Sequence, residues 1–339
     1  MILSCSGCQL GYYLHSAYHQ TKLVNRRQKI EAVLKGDKLT DAQKAKLRLV
    51  QEVKAYGESS LGLAKSKNYT TFVQLDEPYV TYIVQAAMAF ELKPYLWHFP
   101  FVGDVPYKGY FVKSMAEEEA ASFDKAKYDT YVRGVSAYST LGWFQDSVLS
   151  SMLRYDDADL AETILHETIH TTLYIKSAAD FNERMAVFMG HEGMRKFYLQ
   201  REGTDSAHLK EAVADAADQK LFSAFLTREV EALKSWYEAH RSGMTPTLKE
   251  QRLEEIHQRF KSEVRPQLKT KAYGEFEKTK LNNALILAYR TYEYSLADFE
   301  KLYAHFKGDF TQTLDWLKGL EKVENPEKKL HEFVASLKE

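Results

Sequence analysis

The sequence predicts an α+β fold that is mostly helical and contains a small mixed sheet. Three observations predict this class. Short runs rich in β-branched and aromatic residues are concentrated between residues 70 and 138. From residue 146 onward, apolar residues recur mostly at the helical period. A mixed half followed by a helical half is the element order of α+β proteins.

The first half is predicted to alternate helices with short strands. Helices are expected at residues 10–35, 40–56 and 115–127, and strands at residues 70–75, 79–87, 108–112 and 130–138. Lys35-Gly36-Asp37 is a turn signal between the first two helices.

Nearly all of the chain from residue 146 onward is predicted to be helical. A helix is expected from Asp159 to Lys176, with Asp159 as its N-cap and Glu162 as the capping-box partner. A short turn should precede a second helix that begins near Phe181. Further helical periods cover residues 207–240, 248–268, 280–292 and 296–306. Asn282 and Asn283 are candidates to cap the third of these.

Composition excludes some functional classes. Lys and Arg total 46 and Asp and Glu total 47, which gives a formal net charge of −1. The chain therefore has no excess of basic residues, which would point to nucleic-acid binding. No run of about 18 apolar residues predicts a membrane span. The chain is therefore expected to bind no nucleic acid and to cross no bilayer.

The most specific motif is His166-Glu167-Thr168-Ile169-His170. On a helix, residues four apart lie on one face, so the two imidazoles can bind one Zn²⁺. The glutamate between them can then act as general base on a water activated by the metal. The alternative is that the spacing is a coincidence in a structural helix.

A zinc site of this type needs a third protein ligand. Glu183 lies thirteen residues after His170, near the start of the next predicted helix, and a tight antiparallel turn would bring it to the pair. His191 and Glu192 are the other candidates. Glu183 could instead be a solvated carboxylate favoured by the helix dipole.

Several segments together resemble the predicted bacterial aminopeptidases, a lipoprotein family of gluzincin-type zinc peptidases. The matching segments are Gly7–Tyr13, Pro100–Phe111, Tyr138–Asp146, the HETIH helix with Phe181–Glu183, and Leu281–Ala284. The resemblance implies a zincin-like fold with the sheet packed on the HExxH helix. It also implies that His166, His170 and Glu183 bind one Zn²⁺ per chain and that Glu167 is the catalytic base.

The resemblance to zincins also implies where substrate binds, because in these enzymes an edge strand of the sheet pairs with an extended peptide. Residues 134–142 are the candidate edge strand, with Ser139, Thr140, Leu141 and Gly142 against the substrate; an ordinary buried strand is the alternative. The resemblance adds Tyr107 as a residue of the cleft. Tyr292 is the candidate oxyanion donor, ahead of Tyr289, unless it is a packing residue.

Residues behind the metal ligands are also expected, because a ligating histidine usually donates its second N–H to a carboxylate or carbonyl. Glu162 lies one turn before His166, and Asn182 precedes Glu183. Either side chain could orient a ligand, although Glu162 could serve only the helix start.

Both cysteines, Cys5 and Cys8, lie at the N-terminus. The small pair Ser6-Gly7 before Cys8 is typical of a processed lipoprotein signal, and the resemblance implies that Cys8 is acylated. Cleavage before Cys5 is an alternative. A leucine is usual where Cys5 stands, and the charged and apolar parts of a signal are not seen. The expected location is the bacterial cell envelope by lipid anchor, with the cytoplasm as alternative.

The sequence is therefore divided into an attachment region at 1–8, an N-terminal helical segment at 9–60, a zincin core at 61–200 and a helical subdomain at 201–339. The expected function is a zinc-dependent peptidase acting on peptides, and an aminopeptidase by resemblance. The alternatives are a zincin fold that binds without turnover and a structural envelope lipoprotein.

Overall fold

The computed structural model describes residues 6–99, 103–136, 145–292 and 296–337, and side chains for 11–99, 103–136, 145–289 and 296–337. The chain forms two compact units. The first comprises Met1–Asp76, Ser136–Leu209 and Ser295–Glu339, and the second comprises Glu77–Val135 and Lys210–Tyr294. Each unit joins segments that are distant in sequence.

Helices dominate the described chain. They are α1 (Ser6–Asn25), α2 (Ile30–Lys35), α3 (Asp41–Ser60), α4 (Lys113–Ser122), α5 (Asp157–Thr172), α6 (Ala179–Glu202), α7 (Ala207–Ala239), α8 (Pro246–Arg259), α9 (Asn283–Tyr292), α10 (Ala297–His305), α11 (Phe310–Lys318) and α12 (Pro326–Ser336). A π-helical turn, Phe260–Val264, and a 3₁₀ turn, Arg265–Gln267, continue α8, and a 3₁₀ turn, Met152–Arg154, precedes α5. No described helix is long and apolar enough to cross a bilayer.

The strands are short. They are β1 (Gln28–Lys29), β2 (Thr71–Val73), β3 (Thr81–Met88), β4 (Trp97–Phe99), β5 (Gly103–Val105), β6 (Lys108–Tyr110), β7 (Tyr128–Val135) and β8 (Val148–Leu149). In the first unit, β1 pairs antiparallel and β8 pairs parallel with the central β2. In the second unit, β6 and β7 flank β3 in an antiparallel sheet, and β4 pairs with β5. The predicted α+β class with a small mixed sheet is confirmed.

The single helix predicted over residues 10–35 is wrong. The chain leaves the helical conformation after Asn25, forms β1 and re-enters a helix at Ile30. Lys29 is in register with Thr71 of β2, and the Ile30 N–H donates to the Thr70 carbonyl at 3.1 Å. These pairings satisfy backbone groups that a continuous helix would have bonded internally, and the local sequence pattern does not reveal them.

Asp159 is not the N-cap of the helix that carries the histidines. Asp156 occupies that position, with φ −64° and ψ 162°, so Asp159 lies in the first turn. Its carboxylate still suits the positive end of the helix dipole. The helix also ends earlier than expected, at Thr172, because Leu173 is already extended.

The start of α9 agrees with its predicted capping. The Asn282 side chain accepts the Leu285 N–H at 2.8 Å, so Asn282 caps the helix. The amide of Asn283 instead donates to the carbonyls of Met88 and Ala89. These bonds fix α9 against the end of β3 in the second unit.

In the first unit, α5 packs chiefly between α3 and α6. Its buried face carries Leu160, Ile164, Leu165 and Ile169, all completely removed from solvent. Each such side chain stabilises the fold by about 1.5–3 kcal/mol relative to an exposed one. The opposite part of the helix is therefore free to present polar side chains from a rigid support.

Candidate metal centre

The two histidines of the HExxH motif lie one turn apart on α5. Their Nε2 atoms are 3.1 Å from each other, and the rings meet edge to face. The His170 side chain is 4% exposed and that of His166 is 20% exposed. The pair is thus held mid-helix, with one imidazole buried and the other at the surface of a cavity.

Glu183 reaches this pair from the first turns of α6. Its carboxylate oxygens lie 3.3 Å from Nε2 of His170 and 3.7 Å from Nε2 of His166. The Asn182 side chain, fully buried, holds the turn that makes this possible: it accepts the Ile175 N–H at 2.9 Å and donates to the Ile175 carbonyl at 2.8 Å. This two-bond clasp fixes the end of the α5–α6 connection.

The three ligand atoms fit one metal ion. Atoms of His166, His170 and Glu183 that could bind a metal all lie within 4.8 Å of one another. Ligands about 2.0–2.1 Å from a tetrahedral zinc ion are about 3.3 Å apart, close to the separations given above. Two imidazoles and a carboxylate are also a donor set that zinc accepts while one position stays open. The Glu183 side chain is 48% exposed, so the cluster is accessible from solvent.

The cluster is electrostatically prepared for a cation. Burial raises the pKa of Glu183, but hydrogen bonds and charges of His166 and His170 outweigh it and lower the pKa to about 2. Burial lowers the pKa of His166, but the hydrogen bond with Glu183 and the charge of Glu167 raise it above its usual value. Without a metal, the neighbouring carboxylates therefore favour the protonated form of His166.

Glu167 stands beside the cluster without belonging to it. Its Oε2 atom is buried and has no hydrogen-bond partner among the described residues. Burial raises the pKa of Glu167, the charges of His166 and His170 lower it, and those of Glu183 and Asp146 raise it, with a net upward shift. A buried carboxylate more basic than usual is suited to take a proton from a substrate or water.

A cavity of about 410 Å³ opens beside this helix face. It is lined by Tyr155, Asp159, Glu162, Thr163, His166 and Glu167. The volume lies within the range of small-ligand sites. Because His166 and Glu167 form part of its wall, a ligand in the cavity would contact both side chains.

Close approach of α6 to α5 depends on Gly190, which the sequence analysis did not single out. A Cβ at Gly190 would lie 3.2 Å from N, Cα and Cβ of His166. Gly193, one turn on, meets Leu165 in the same way at 3.2 Å. Two glycines inside a predicted helix were the available signal, since helical glycines usually have a packing reason.

Neither residue expected behind the ligands bonds to a ligand directly. The Glu162 carboxylate pairs with Nδ1 of His191 at 3.1 Å, and Asn182 serves the turn described above. Nδ1 of His170 is buried and has no partner among the described residues. Glu162 thus ties α5 to α6, and Asn182 positions Glu183 through the backbone.

The other candidate ligands have different partners. His191 is bound to Glu162, and Glu192 pairs with Arg195 at 2.8 Å.

Tyr289, the second candidate for the oxyanion donor, packs against Phe222 and Phe276 in the core of the second unit. Burial raises its pKa to about 12, as expected for a packing residue.

The remaining predicted site residues are only partly described. Ser139, Thr140, Leu141 and Gly142 lie outside the described residues, as does most of the predicted edge strand 134–142. Of Tyr292 the helical backbone is described but not the side chain, and the same holds for Cys8 in α1. Tyr107 is an exposed residue just before β6.

Comparison with known families gives one result. The family model described as "Putative aminopeptidase" matches residues 11–331, nearly the whole chain. No curated protein and no solved structure matches the chain significantly.

Proposed function

Because the chain belongs to the family described as "Putative aminopeptidase", we propose that it is a zinc-dependent peptidase of the aminopeptidase type. One Zn²⁺ per chain would be held by His166, His170 and Glu183. The observation that carries the proposal is the convergence of these three possible ligand atoms beside the buried Oε2 of Glu167, which has no hydrogen-bond partner among the described residues.

The bound metal would supply a Lewis acid that acidifies a water molecule and polarises the substrate carbonyl. Glu167 accepts the proton as this water attacks, and then returns it to the nitrogen that leaves. A pKa above the usual carboxylate value makes Glu167 a better proton acceptor for this step. Burial on α5 keeps the carboxylate in place during the reaction.

Peptides are the proposed substrates, and the segment Ser139–Gly142 and Tyr107 are proposed to contact them, as the resemblance implies. The resemblance alone points to Tyr292 as the oxyanion donor. An aminopeptidase also needs a group for the free α-amino end. A mixed peptide library read by mass spectrometry distinguishes removal of single N-terminal residues from cleavage of internal bonds.

The experiment for the proposed function pairs metal analysis with turnover. The wild-type chain is expected to bind one zinc and cleave peptides, and Glu167→Gln is expected to keep the zinc and lose at least about 10²-fold in kcat. His15→Ala, a histidine change outside the cluster, should alter neither. A zinc-loaded wild-type chain that cleaves no peptide would favour a zincin fold that only binds. No zinc at all would favour a structural role.

We also propose attachment to the cell envelope through acylation of Cys8. Ser6 and Gly7 before this cysteine motivate the proposal. In bacteria fed a labelled fatty acid, label is expected on the wild-type chain and not on Cys8→Ser. Label retained by Cys8→Ser and lost by Cys5→Ser would move the attachment to Cys5.

A further inference from the structure

Cleavage of a peptide bond creates an oxyanion, which enzymes stabilise with a hydrogen-bond donor placed where the charge develops. We propose that Tyr155, at the wall of the cavity beside Glu167, is this donor. The inference rests on the proposed function and adds a residue to the same site. It places the donor upstream of α5, in the first unit, rather than downstream at Tyr292.

The residues of the cavity wall leave few choices. Among the described residues that line it, Asp159 and Glu162 are carboxylates that accept hydrogen bonds, and His166 and Glu167 already have proposed roles. Tyr155 and Thr163 are the remaining side chains with a donor. The Thr163 hydroxyl sits on Cβ, close to the helix, whereas the Tyr155 hydroxyl is carried at the far end of a ring. Tyr155 is therefore better able to reach a bound carbonyl.

Tyr155 is held from several sides. Its N–H donates to the Met152 carbonyl at 3.1 Å, and its own carbonyl accepts the ammonium of Lys46. Lys46 also pairs with Asp157 at 2.7 Å, which joins the Tyr155 backbone to the first turn of α5. A hydrogen bond with the Ser136 side chain holds the phenol hydroxyl. A donor fixed before substrate binds needs little rearrangement in the transition state.

The environment keeps the phenol protonated. Burial raises the pKa of Tyr155, the Ser136 hydrogen bond lowers it and the charge of Asp159 raises it, with a net upward shift. The Tyr155 O–H bond stays intact throughout the reaction. The proton of the attacking water goes to Glu167 and then to the leaving amine as the C–N bond breaks.

The test compares Tyr155→Phe with wild type in the full-length, zinc-loaded protein. The variant is expected to keep one zinc and its melting temperature, and to lose about 10²–10³-fold in kcat. KM should change by less than about threefold, since the bond matters mainly in the transition state. Affinity for a phosphonate peptide, which mimics the tetrahedral state, should fall by a factor similar to that for kcat. This binding is measured by calorimetry without turnover.

Matched variants separate a catalytic role from a structural one. The Tyr174 ring lies 6.4 Å from the His170 ring, but Tyr174 does not line the cavity. Tyr174→Phe removes its hydroxyl and should therefore leave kcat unchanged. Ser136→Ala removes the hydrogen-bond partner of the phenol but keeps the phenol itself, so its loss in kcat should be smaller than that of Tyr155→Phe. This variant therefore tests the role of the Tyr155 hydroxyl even if Tyr155→Phe folds poorly.

The assignment would be overturned if Tyr155→Phe kept the wild-type kcat and phosphonate affinity. It would also be overturned if the expected loss in kcat appeared in Thr163→Val or in Tyr292→Phe instead. These results leave the proposed function standing. Absence of peptide cleavage by zinc-loaded wild type would remove both.

Discussion

Two helices of the first unit carry a histidine pair with the same spacing. On α5 the Nε2 atoms of His166 and His170 are 3.1 Å apart, and on α1 those of His15 and His19 are 3.2 Å apart. Glu183 completes a three-ligand group with the first pair, while in the described part of the chain the second pair belongs to no such group. The spacing alone therefore does not gather three possible metal ligands; the α5–α6 turn brings in the third.

The surroundings also shift the pKa of one histidine in each pair, and the two shifts have opposite directions. Burial, His15 and Lys22 all lower the pKa of His19. The pKa of His166 is lowered by burial but raised, on balance, by Glu183 and Glu167. Burial and cationic neighbours thus disfavour added charge at His19, whereas anionic neighbours favour it at His166.

The largest expected effect comes from removing the carboxylate that distinguishes the pairs. Glu183→Gln should weaken zinc binding by at least about 10²-fold, because a neutral amide replaces an anionic ligand. Competition with a chromophoric chelator measures the affinity, and His15→Ala provides the control with unchanged binding. Wild-type affinity in Glu183→Gln would remove the difference between the two pairs.

A smaller effect is expected from the packing that surrounds each helix. Gly190→Ala places a methyl group 3.2 Å from the His166 backbone and Cβ, so we expect a loss of about 1–3 kcal/mol in stability, with weaker zinc binding. Gly11→Ala on α1 meets nothing within 4 Å and should stabilise by up to about 1 kcal/mol. Denaturant unfolding measures both. Equal effects would mean that α6 does not constrain His166.

The smallest expected effect is a pH dependence of the metal-free protein. A raised folded pKa at His166 means that its contribution to stability is present below the unfolded value of 6.5 and is lost as pH rises through the folded pKa. For His19 the folded pKa is lowered, so its effect on stability has the opposite sign. Protonation of His19 destabilises the folded protein at acidic pH, and this penalty disappears as pH rises through 6.5.

Unfolding midpoints of the chelator-treated protein from pH 5 to 8 check these signs. Relative to wild type, His166→Gln should cost more stability at pH 5.5 than at pH 8. His19→Gln should be relatively more favourable at pH 5.5. The same pH trend in both variants would contradict the contrast.

The parts of the site that follow from local pattern could be predicted from the sequence. Helical periodicity and the spacing of His166 and His170 define one face of α5, and the short turn brings Glu183 back to it. Both depend on neighbouring residues along the chain. The predicted role of Glu183 as a ligand still awaits a bound metal.

The parts that depend on distant segments were not predictable in this way. The break between α1 and α2 follows from pairing with β2, more than forty residues away. The contact of Gly190 with His166 exists only once α5 and α6 have packed, and the hydrogen bond of Lys46 to the Tyr155 carbonyl exists only once α3 has joined them. Periodicity reports which residues share a face of one element, but not which elements meet.

Zinc K-edge X-ray absorption of the zinc-loaded protein tests the central claim most directly. The account predicts two imidazole nitrogens and oxygen ligands at about 2.0–2.2 Å, with one imidazole lost in His170→Ala. A sulfur contribution at about 2.3 Å would place the metal on Cys5 and Cys8 instead, and a spectrum of oxygen ligands alone would mean that the histidines of α5 do not hold it.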